Sequence, residues 1–414
     1  MRALVYDVDP IRWTVCKIAG RVTPRVFWSK LSGLGLREVA IPALPNPQWV
    51  RLRTVLGGVC GTDLSTILQR SHPASILQAV SSFPAVLGHE NVAVVDEVGD
   101  GVRSFKPGDR VVVESSLSCV PRGIEPVCAM CTAGRFTLCR RFQDGDIAPG
   151  SMIGYHRKTG GSWGPHFVAH QSQLHRVPDT IDDKSAVLVD PIAGAVHAVL
   201  RRVPADNETV LILGAGLLGI GIAIAIRALG SRCRLFAIVR RDEQATLMTR
   251  FGVDETITVR RSDTQADRYE RVGRSVGARP TATRFGHCAL LGGGYDVVYD
   301  CVGTGDSLTD ALKYTRAGGT TVEVGTSNIS IVDTAPLWLN ERNVIGANCR
   351  AIESYEGKKL HTYEIVLEWL AAGRIDLSGL LTHTFRIDQY AQAFETLTSR
   401  DRRGAAKVAF AFSS

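Results

Sequence analysis

The sequence lacks long apolar runs. Hydrophobic residues make up 45% of its 414 positions, yet no stretch approaches the roughly 18 to 20 apolar residues that a membrane-spanning helix needs. The opening MRALVYDVDP also lacks the basic start and apolar centre of a secretory signal. We therefore expect a cytoplasmic protein with no membrane partner, whose thiols stay reduced.

A strong excess of one charge is missing too. The net charge is +7, and the densest basic region, Val259 to Arg284, contains seven arginines. No nucleic-acid recognition motif accompanies these arginines. The pattern favours a solvated insertion, and we expect no nucleic-acid partner.

The cysteines, in contrast, are plentiful and unevenly placed. Of the ten, Cys128, Cys131 and Cys139 crowd into one short segment. In a reducing compartment such clustering indicates a metal site before a disulfide. The chain is also long for a single hydrophobic core, so two domains are expected.

The hydrophobic pattern changes along the chain and predicts the two domains. Residues 1–200 are rich in short β-type runs broken by Gly and Pro, such as NVAVVDEV at Asn91 to Val98. In residues 201–342, short apolar strands alternate with helix-length segments, which is typical of a parallel sheet covered on both faces. Residues 343–414 return to a mixed pattern and are assigned to the same domain as residues 1–200. The prediction is an α/β fold in which a doubly wound parallel sheet is inserted into a mainly antiparallel β-domain.

A glycine-rich turn indicates a dinucleotide site. The run GAGLLG follows the apolar strand Thr209 to Leu213 and precedes a helical pattern, which is the context that a GxGxxG motif requires. Its glycines permit a tight turn, close approach of a pyrophosphate and close helix–strand packing. The predicted cofactor-binding residues of the turn are Gly214, Gly216, Leu217, Leu218 and Gly219, with Val302 and Val324 as further candidates.

The end of the next strand bears on the choice of cofactor. The sequence there reads AIVRRDE, and no carboxylate stands where one would bind a ribose 2′-hydroxyl. Arg240 and Arg241 could instead bind a 2′-phosphate, although two exposed arginines at a strand end would look the same. We therefore favour NADP(H) over NAD(H).

Three distant residues could form a zinc site. Cys60 in GVCGTDL, His89 in LGHENV and Asp190 in VDPIAGAVHA are all competent zinc ligands, and three protein ligands leave a fourth position for substrate. Spacing alone does not unite them, because a lone cysteine is more often a small buried residue. The surroundings are more informative.

These motifs occur in the order found in zinc-dependent medium-chain dehydrogenases/reductases, and the chain resembles that family over nearly its whole length. Further matches are KPGDRVVV, RVPDTIDDKSA and GRIDLSGLLTHTFRIDQYAQAFETL. The resemblance is closest to the polyol and threonine dehydrogenase branch. It implies a GroES-like catalytic domain around a Rossmann domain, and it implies homodimers or homotetramers.

The resemblance also implies residue roles. Cys60, His89 and Asp190 would hold a catalytic zinc, with Glu90 as a helper; Thr62 would relay the substrate proton and Asp63 would orient His89. Ser65 stands where several relatives have a relay histidine, so the further proton path is open.

The second cysteine cluster resembles the family's structural zinc lobe, about residues 115–142, which normally uses four cysteines. Cys128, Cys131 and Cys139 supply three of the ligands. We choose Cys119 as the fourth because thiolate suits a closed site, and Glu125 is the alternative.

The expected function is zinc-dependent hydride transfer between NADP(H) and a small alcohol or ketone. The alternatives are a zinc-free enone or quinone reductase and a non-catalytic NADPH-binding protein. Two insertions depart from the family pattern, near Ile11 to Leu34 and Arg261 to Gly292. Phe27 and Trp28 in the first could cover the substrate pocket.

Overall fold

The computed structural model describes residues 1–286, 288–399 and 404–412. It divides the chain into two compact units, Met1–Asp190 with Arg350–Ser414, and Pro191–Cys349. The chain therefore crosses between units at residues 190/191 and 349/350, where the sequence predicted crossings near 200 and 343.

The elements follow one another in three stretches of the chain. The first stretch contains β1 (Arg2–Tyr6), α1 (Pro10–Ala19), β2 (Leu34–Glu38), β3 (Trp49–Gly58), α2 (Gly61–Ile67), β4 (Ala85–Val86), β5 (Asn91–Val98), β6 (Arg110–Val113), α3 (Ala129–Thr132), β7 (His166–His170), β8 (Leu174–Arg176), α4 (Asp183–Ala186) and α5 (Val189–Arg201). The second contains β9 (Thr209–Leu213), α6 (Leu217–Ala228), β10 (Arg234–Val239), α7 (Asp242–Arg250), β11 (Glu255–Thr258), α8 (Gln265–Ser275), β12 (Thr281–Ala282), β13 (Cys288–Ala289), β14 (Tyr295–Asp300), α9 (Gly305–Tyr314), β15 (Thr315–Glu323), α10 (Ala335–Leu339) and β16 (Asn343–Gly346). The third contains β17 (Ile352–Tyr355), β18 (Lys358–His361), α11 (Thr362–Ala371), β19 (Leu381–Phe385), α12 (Tyr390–Thr398) and β20 (Lys407–Ala411), and short 3₁₀ turns occur at Pro24–Trp28, Ile76–Gln78, Phe136–Leu138, Gln171–Gln173 and Ile387–Gln389.

The first unit is built on a largely antiparallel sheet. Its order is β19-β20-β3-β5-β6-β8, with β7 also paired to β3, and only the β19–β20 pair is parallel. A second sheet has the order β2-β1-β4, and β17 pairs with β18. Buried and half-buried residues alternate along β3 from Val50 to Leu56, as expected of a strand with one face in the core. The prediction of a mainly antiparallel β-domain is confirmed.

The second unit is built on a six-stranded parallel sheet with the order β11-β10-β9-β14-β15-β16. In strand sequence this is the 3-2-1-4-5-6 order of a doubly wound dinucleotide-binding fold. The central strands β9 and β10 are near-continuous apolar runs, as expected of a sheet covered on both faces, and Val210, Leu211 and Ile212 of β9 are fully buried. The predicted Rossmann fold is confirmed.

The N-terminal insertion folds against the first unit. Phe27 and Trp28 are buried, and the Trp28 ring lies 6.1 Å from that of Phe394 on α12. The two aromatic residues belong to the hydrophobic core that also contains Leu64 and Ile67 of α2. The insertion therefore supports the helix that follows Cys60. Within the described ranges, no helix combines the length and apolarity needed to cross a bilayer.

Candidate active site

The first ligand candidate, Cys60, lies between β3 and α2. Its backbone is extended (φ −84°, ψ 158°), so it ends the strand and begins the helix. Asp63, in the first turn of α2, accepts a hydrogen bond of 2.9 Å from the Cys60 N–H. This local bond sets the position of the Cys60 side chain at the helix start.

His89 and Glu90 stand immediately before β5, the neighbour of β3 in the sheet. Both are buried, and ligand atoms of Cys60, His89 and Glu90 all lie within 4.8 Å of one another. A thiol, an imidazole and a carboxylate this close form a donor set suited to zinc, with a fourth position left over.

Glu90 has a buried cationic partner. Lys407, the first residue of β20, forms an ion pair with Glu90 Oε2, and both side chains are almost fully buried. A Cβ atom on Gly58 would lie 2.3 Å from that same oxygen, so glycine leaves the room that the carboxylate needs. The Lys407 charge offsets the cost of burying Glu90 without metal.

Asp63 connects His89 to a tyrosine. Asp63 Oδ1 lies 3.4 Å from His89 Nδ1, and the Tyr155 hydroxyl donates a 3.0 Å hydrogen bond to Oδ1. Burial lowers the pKa of His89, but the Asp63 and Cys60 charges outweigh burial, and the pKa is raised well above its ordinary value. Burial and the Asp63 charge raise the pKa of Tyr155. Because the Asp63 carboxylate faces Nδ1, Nε2 is the nitrogen that would bind a metal once the ring has lost one proton.

Asp190 is not among the residues that the structure brings to Cys60 and His89. Arg350 donates to its Oδ1 at 3.1 Å, and the Tyr363 hydroxyl donates to its Oδ2 at 2.7 Å. Arg350 also donates to Glu114 at 3.0 Å. Both Asp190 oxygens are thus engaged by buried side chains, whereas Glu90 lies in one group with Cys60 and His89.

The predicted proton relay begins beside Cys60. Thr62 is half-buried on α2, and its Oγ1 lies 3.7 Å from Cys60 Sγ. Ser65 is half-buried on the same helix, and its backbone carbonyl accepts a bond from the Arg70 N–H. Thr62 therefore stands next to the donor set, and the path beyond it stays open.

The four cysteines of the second cluster come together as a separate group. Ligand atoms of Cys119, Cys128, Cys131 and Cys139 lie within 4.8 Å of one another, and the Cys119 and Cys139 sulfur atoms are 3.6 Å apart. None of these cysteines forms a disulfide. Glu125 is exposed and lies outside the group. Four converging thiols are the ligand set of a closed zinc site.

A buried arginine holds the base of this lobe together. Arg122 is fully buried in the loop between Cys119 and Cys128. Its guanidinium donates to five backbone carbonyls, those of Leu117, Asp144, Ile147, Ala148 and Gly150. Arg122 therefore fixes the extra loop between Cys119 and Cys128 to the backbone on either side of the cysteine cluster.

The cofactor turn has the geometry that its glycines predict. Gly214 has φ +101°, and a Cβ atom on Gly219 would lie 2.0 Å from the Gly214 carbonyl oxygen. A Cβ on Gly216 would meet no atom within 4 Å, so this position is open towards a ligand. Leu217 and Leu218 begin α6, whose N-terminus favours a pyrophosphate.

The other cofactor candidates lie at the same sheet edge. Arg240 is exposed and Arg241 is half-buried after β10, and the Arg240 N–H donates 3.0 Å to the Gln244 side chain. Val302 follows β14 and Val324 follows β15, where both N–H groups bond to Asp300. All four lie at carboxyl ends of the parallel strands, where such sheets bind ligands.

Two family descriptions match the chain. "Alcohol dehydrogenase GroES-like domain" matches residues 46–179, and "Zinc-binding dehydrogenase" matches residues 218–371. The chain belongs to the zinc-dependent medium-chain dehydrogenase/reductase family. Within this family of zinc-type alcohol and polyol dehydrogenases, its similarity lies on the polyol side.

Two curated relatives illustrate that similarity. L-idonate 5-dehydrogenase of Vitis vinifera is 28% identical over 88% of this chain and 88% of the relative. Sorbitol dehydrogenase of Arabidopsis thaliana is 28% identical over 92% of this chain and 93% of the relative.

Solved structures share the fold. A zinc-binding dehydrogenase of Sinorhizobium meliloti, bound to NADP, has a TM-score of 0.69, 24% identity, and coverage of 92% of this chain and 96% of that one. An alcohol dehydrogenase of Escherichia coli, complexed with NADH, has a TM-score of 0.73, 21% identity, and coverage of 100% and 99%. At these identities the likeness establishes the fold alone.

Several supporting residues of this dehydrogenase could not be found from its motifs. They are Tyr155, Lys407, Arg350, Tyr363 and Arg122. Lys407 carries a usable signal, because a lysine that opens the apolar run KVAFA needs a carboxylate partner if it is buried. Tyr155 carries no such signal, since a tyrosine in a loop is ordinary.

Proposed function

We propose that this chain transfers a hydride between NADP(H) and an alcohol or ketone, with zinc held by Cys60, His89 and Glu90. The observation that carries the proposal is the convergence of these three donors within 4.8 Å of one another, with His89 and Glu90 buried and Cys60 half-buried. Three ligands leave one position for a substrate oxygen, which is the pattern of catalytic rather than structural zinc.

The protein residues have distinct tasks at this site. Bound zinc would supply a Lewis acid that brings the pKa of an alcohol towards neutrality. Asp63 orients His89, since its carboxylate faces Nδ1 at 3.4 Å. Thr62, beside Cys60, accepts the proton of the substrate hydroxyl and passes it on. Lys407 restrains Glu90 and balances its charge.

In this proposal Asp190 stabilises the first unit through buried hydrogen bonds and does not bind zinc. Arg350 and Tyr363 occupy both of its oxygens, so it would have to break two buried bonds to reach a metal. Glu90 needs no such rearrangement, because it already lies in the donor group.

The preference for NADP(H) is supported by Arg240 and Arg241. They follow β10, the strand next to the one that leads into the glycine-rich turn. A guanidinium there would bind a 2′-phosphate through charge-assisted bonds. The substrate would be a small secondary alcohol or its ketone, and the polyol relatives suggest hydroxyl-rich compounds for the first panel.

The test combines metal analysis with a cofactor comparison. Purified protein should hold two zinc ions per chain, one for each cluster, and oxidise secondary alcohols with NADP until a chelator removes the catalytic zinc. Less than one zinc per chain with chelator-insensitive activity would contradict the mechanism and favour a zinc-free reductase. Bound zinc and bound NADPH without turnover of any alcohol or ketone would favour a non-catalytic protein.

The cofactor preference has a separate test. Arg240→Ser should weaken NADP binding by about tenfold, which corresponds to about 1.4 kcal/mol, and leave NAD binding unchanged. Arg261→Ser, at an exposed arginine in the second insertion, is the matched control. Equal loss for both cofactors would contradict a 2′-phosphate role.

A further inference from the structure

Tyr155 lies deep in the first unit beside the donor set. It is 4% exposed, and its ring centroid is 6.0 Å from that of His89 and 6.2 Å from that of Phe83. Its backbone is fixed as well, because its carbonyl accepts from the Ser82 N–H at 2.9 Å and its N–H donates to Met152 at 3.2 Å. The phenol therefore has a defined position.

The hydroxyl of Tyr155 joins two residues of α2. It lies 3.0 Å from Asp63 Oδ1 and 3.2 Å from Thr66 Oγ1. The Tyr155 hydroxyl donates to Oδ1, so the phenol hydrogen points to Asp63. The phenol oxygen is then free to accept from Thr66. The hydrogen bonds therefore run from the Thr66 hydroxyl to Tyr155 and from the Tyr155 hydroxyl to Asp63.

Asp63 depends on these donors because it is fully buried. Its Oδ2 accepts from the Cys60 N–H, and its Oδ1 receives Tyr155 while facing His89 at 3.4 Å. Without the phenol, Oδ1 would be left with the His89 contact alone, and the carboxylate could rotate. Outer partners that orient a ligating histidine commonly change metal affinity by about 10- to 100-fold.

We propose that Tyr155 is a positioning residue for the catalytic metal. Through Asp63 it sets the orientation of His89 and therefore the zinc affinity of the site formed by Cys60, His89 and Glu90, called the open site below. The proposal deepens the proposed function and rests on zinc binding at that site.

The experiment compares Tyr155→Phe with Tyr6→Phe. Both tyrosines are buried in one hydrophobic core and contact Phe83, but the Tyr6 hydroxyl donates to the Thr66 carbonyl, at 3.4 Å, and not to Asp63. We expect Tyr155→Phe to weaken catalytic zinc at least about tenfold in chelator competition and to change the visible spectrum of the cobalt-substituted protein. Tyr6→Phe should do neither, and both variants should keep the structural zinc.

A third variant, Thr66→Val, removes the donor behind Tyr155 and should weaken zinc less than Tyr155→Phe does. Unchanged zinc affinity and an unchanged cobalt spectrum in a folded Tyr155→Phe would overturn the proposal while leaving the function intact. If the wild type itself holds no zinc at the open site, the proposed function fails first. Equal losses in Tyr155→Phe and Tyr6→Phe would reduce Tyr155 to a packing role and also overturn the proposal.

Discussion

The two metal-ligand clusters of this dehydrogenase are built in opposite ways. The four-thiol lobe takes all its ligands from one segment, Cys119 to Cys139, and closes around its site. The open site takes its three donors from the ends of two loops, at Cys60 and at His89 with Glu90. A closed site needs only a locally folded loop, whereas an open site needs the whole sheet to place its donors.

Their supporting residues differ in the same sense. Arg122, within that segment, donates to backbone carbonyls of the residues that flank it on either side, Leu117 before it and Asp144 to Gly150 after it. At the open site, Asp63 contacts Tyr155, which lies 92 residues away in sequence, and Glu90 pairs with Lys407, which lies 317 residues away. Long-range contacts thus give the open site its geometry. The comparison predicts that damage at the open site costs activity, and damage at the lobe costs stability.

The largest effect is expected from Cys60→Ser at the open site. Loss of the zinc removes several kcal/mol of transition-state stabilisation, so turnover should fall at least about a thousandfold. The lobe should keep its zinc, and the melting temperature should change little. Steady-state kinetics with metal analysis checks this, and Cys349→Ser, at an exposed cysteine, is the control. A large loss of stability would contradict the separation of the two sites.

Cys119→Ser should produce the reverse pattern. One zinc of the two should be lost, and the free energy of unfolding should fall by several kcal/mol, on the order of 3, because structural zinc binding is coupled to folding. The lobe segment should become sensitive to proteolysis. Urea unfolding and limited proteolysis measure these changes. Glu125→Gln is the matched control, and loss of structural zinc in that variant would revive Glu125 as the ligand.

Asp190→Asn should have the smallest effect of the three substitutions. It tests whether Asp190 belongs to the open site. The carboxamide keeps the size of the side chain but weakens its bonds with Arg350 and Tyr363, so stability should fall by roughly 1 to 3 kcal/mol. Zinc content should stay at two per chain because Glu90, not Asp190, lies in the donor group. Loss of catalytic zinc from Asp190→Asn, with retention in Glu90→Gln, would return the ligand role to Asp190.

Local patterns predicted much of this molecule. The strands Asn91–Val98 and Thr209–Leu213 have the predicted bounds, because their apolar runs end at turn residues. The glycine-rich turn has the expected backbone, since positive φ and close packing are local demands on glycine. Phe27 and Trp28 are the two residues that could cover the substrate pocket, and the structure buries both in the core that contains α2, because burial stabilises aromatic surface.

The sequence by itself determined the α/β class, the dinucleotide turn, the cysteine lobe and the presence of Cys60 and His89 as donor residues. The α/β class and the dinucleotide turn depend on short-range spacing and on residue chemistry, whereas the zinc donors were assigned through the resemblance to the dehydrogenase family. Only the tertiary structure shows that Glu90 shares one donor group with Cys60 and His89 while Asp190 bonds to Arg350 and Tyr363, and that Tyr155 contacts Asp63 and Lys407 contacts Glu90. Partners of buried charges are chosen by which strands and loops meet in space, and no local pattern encodes that meeting.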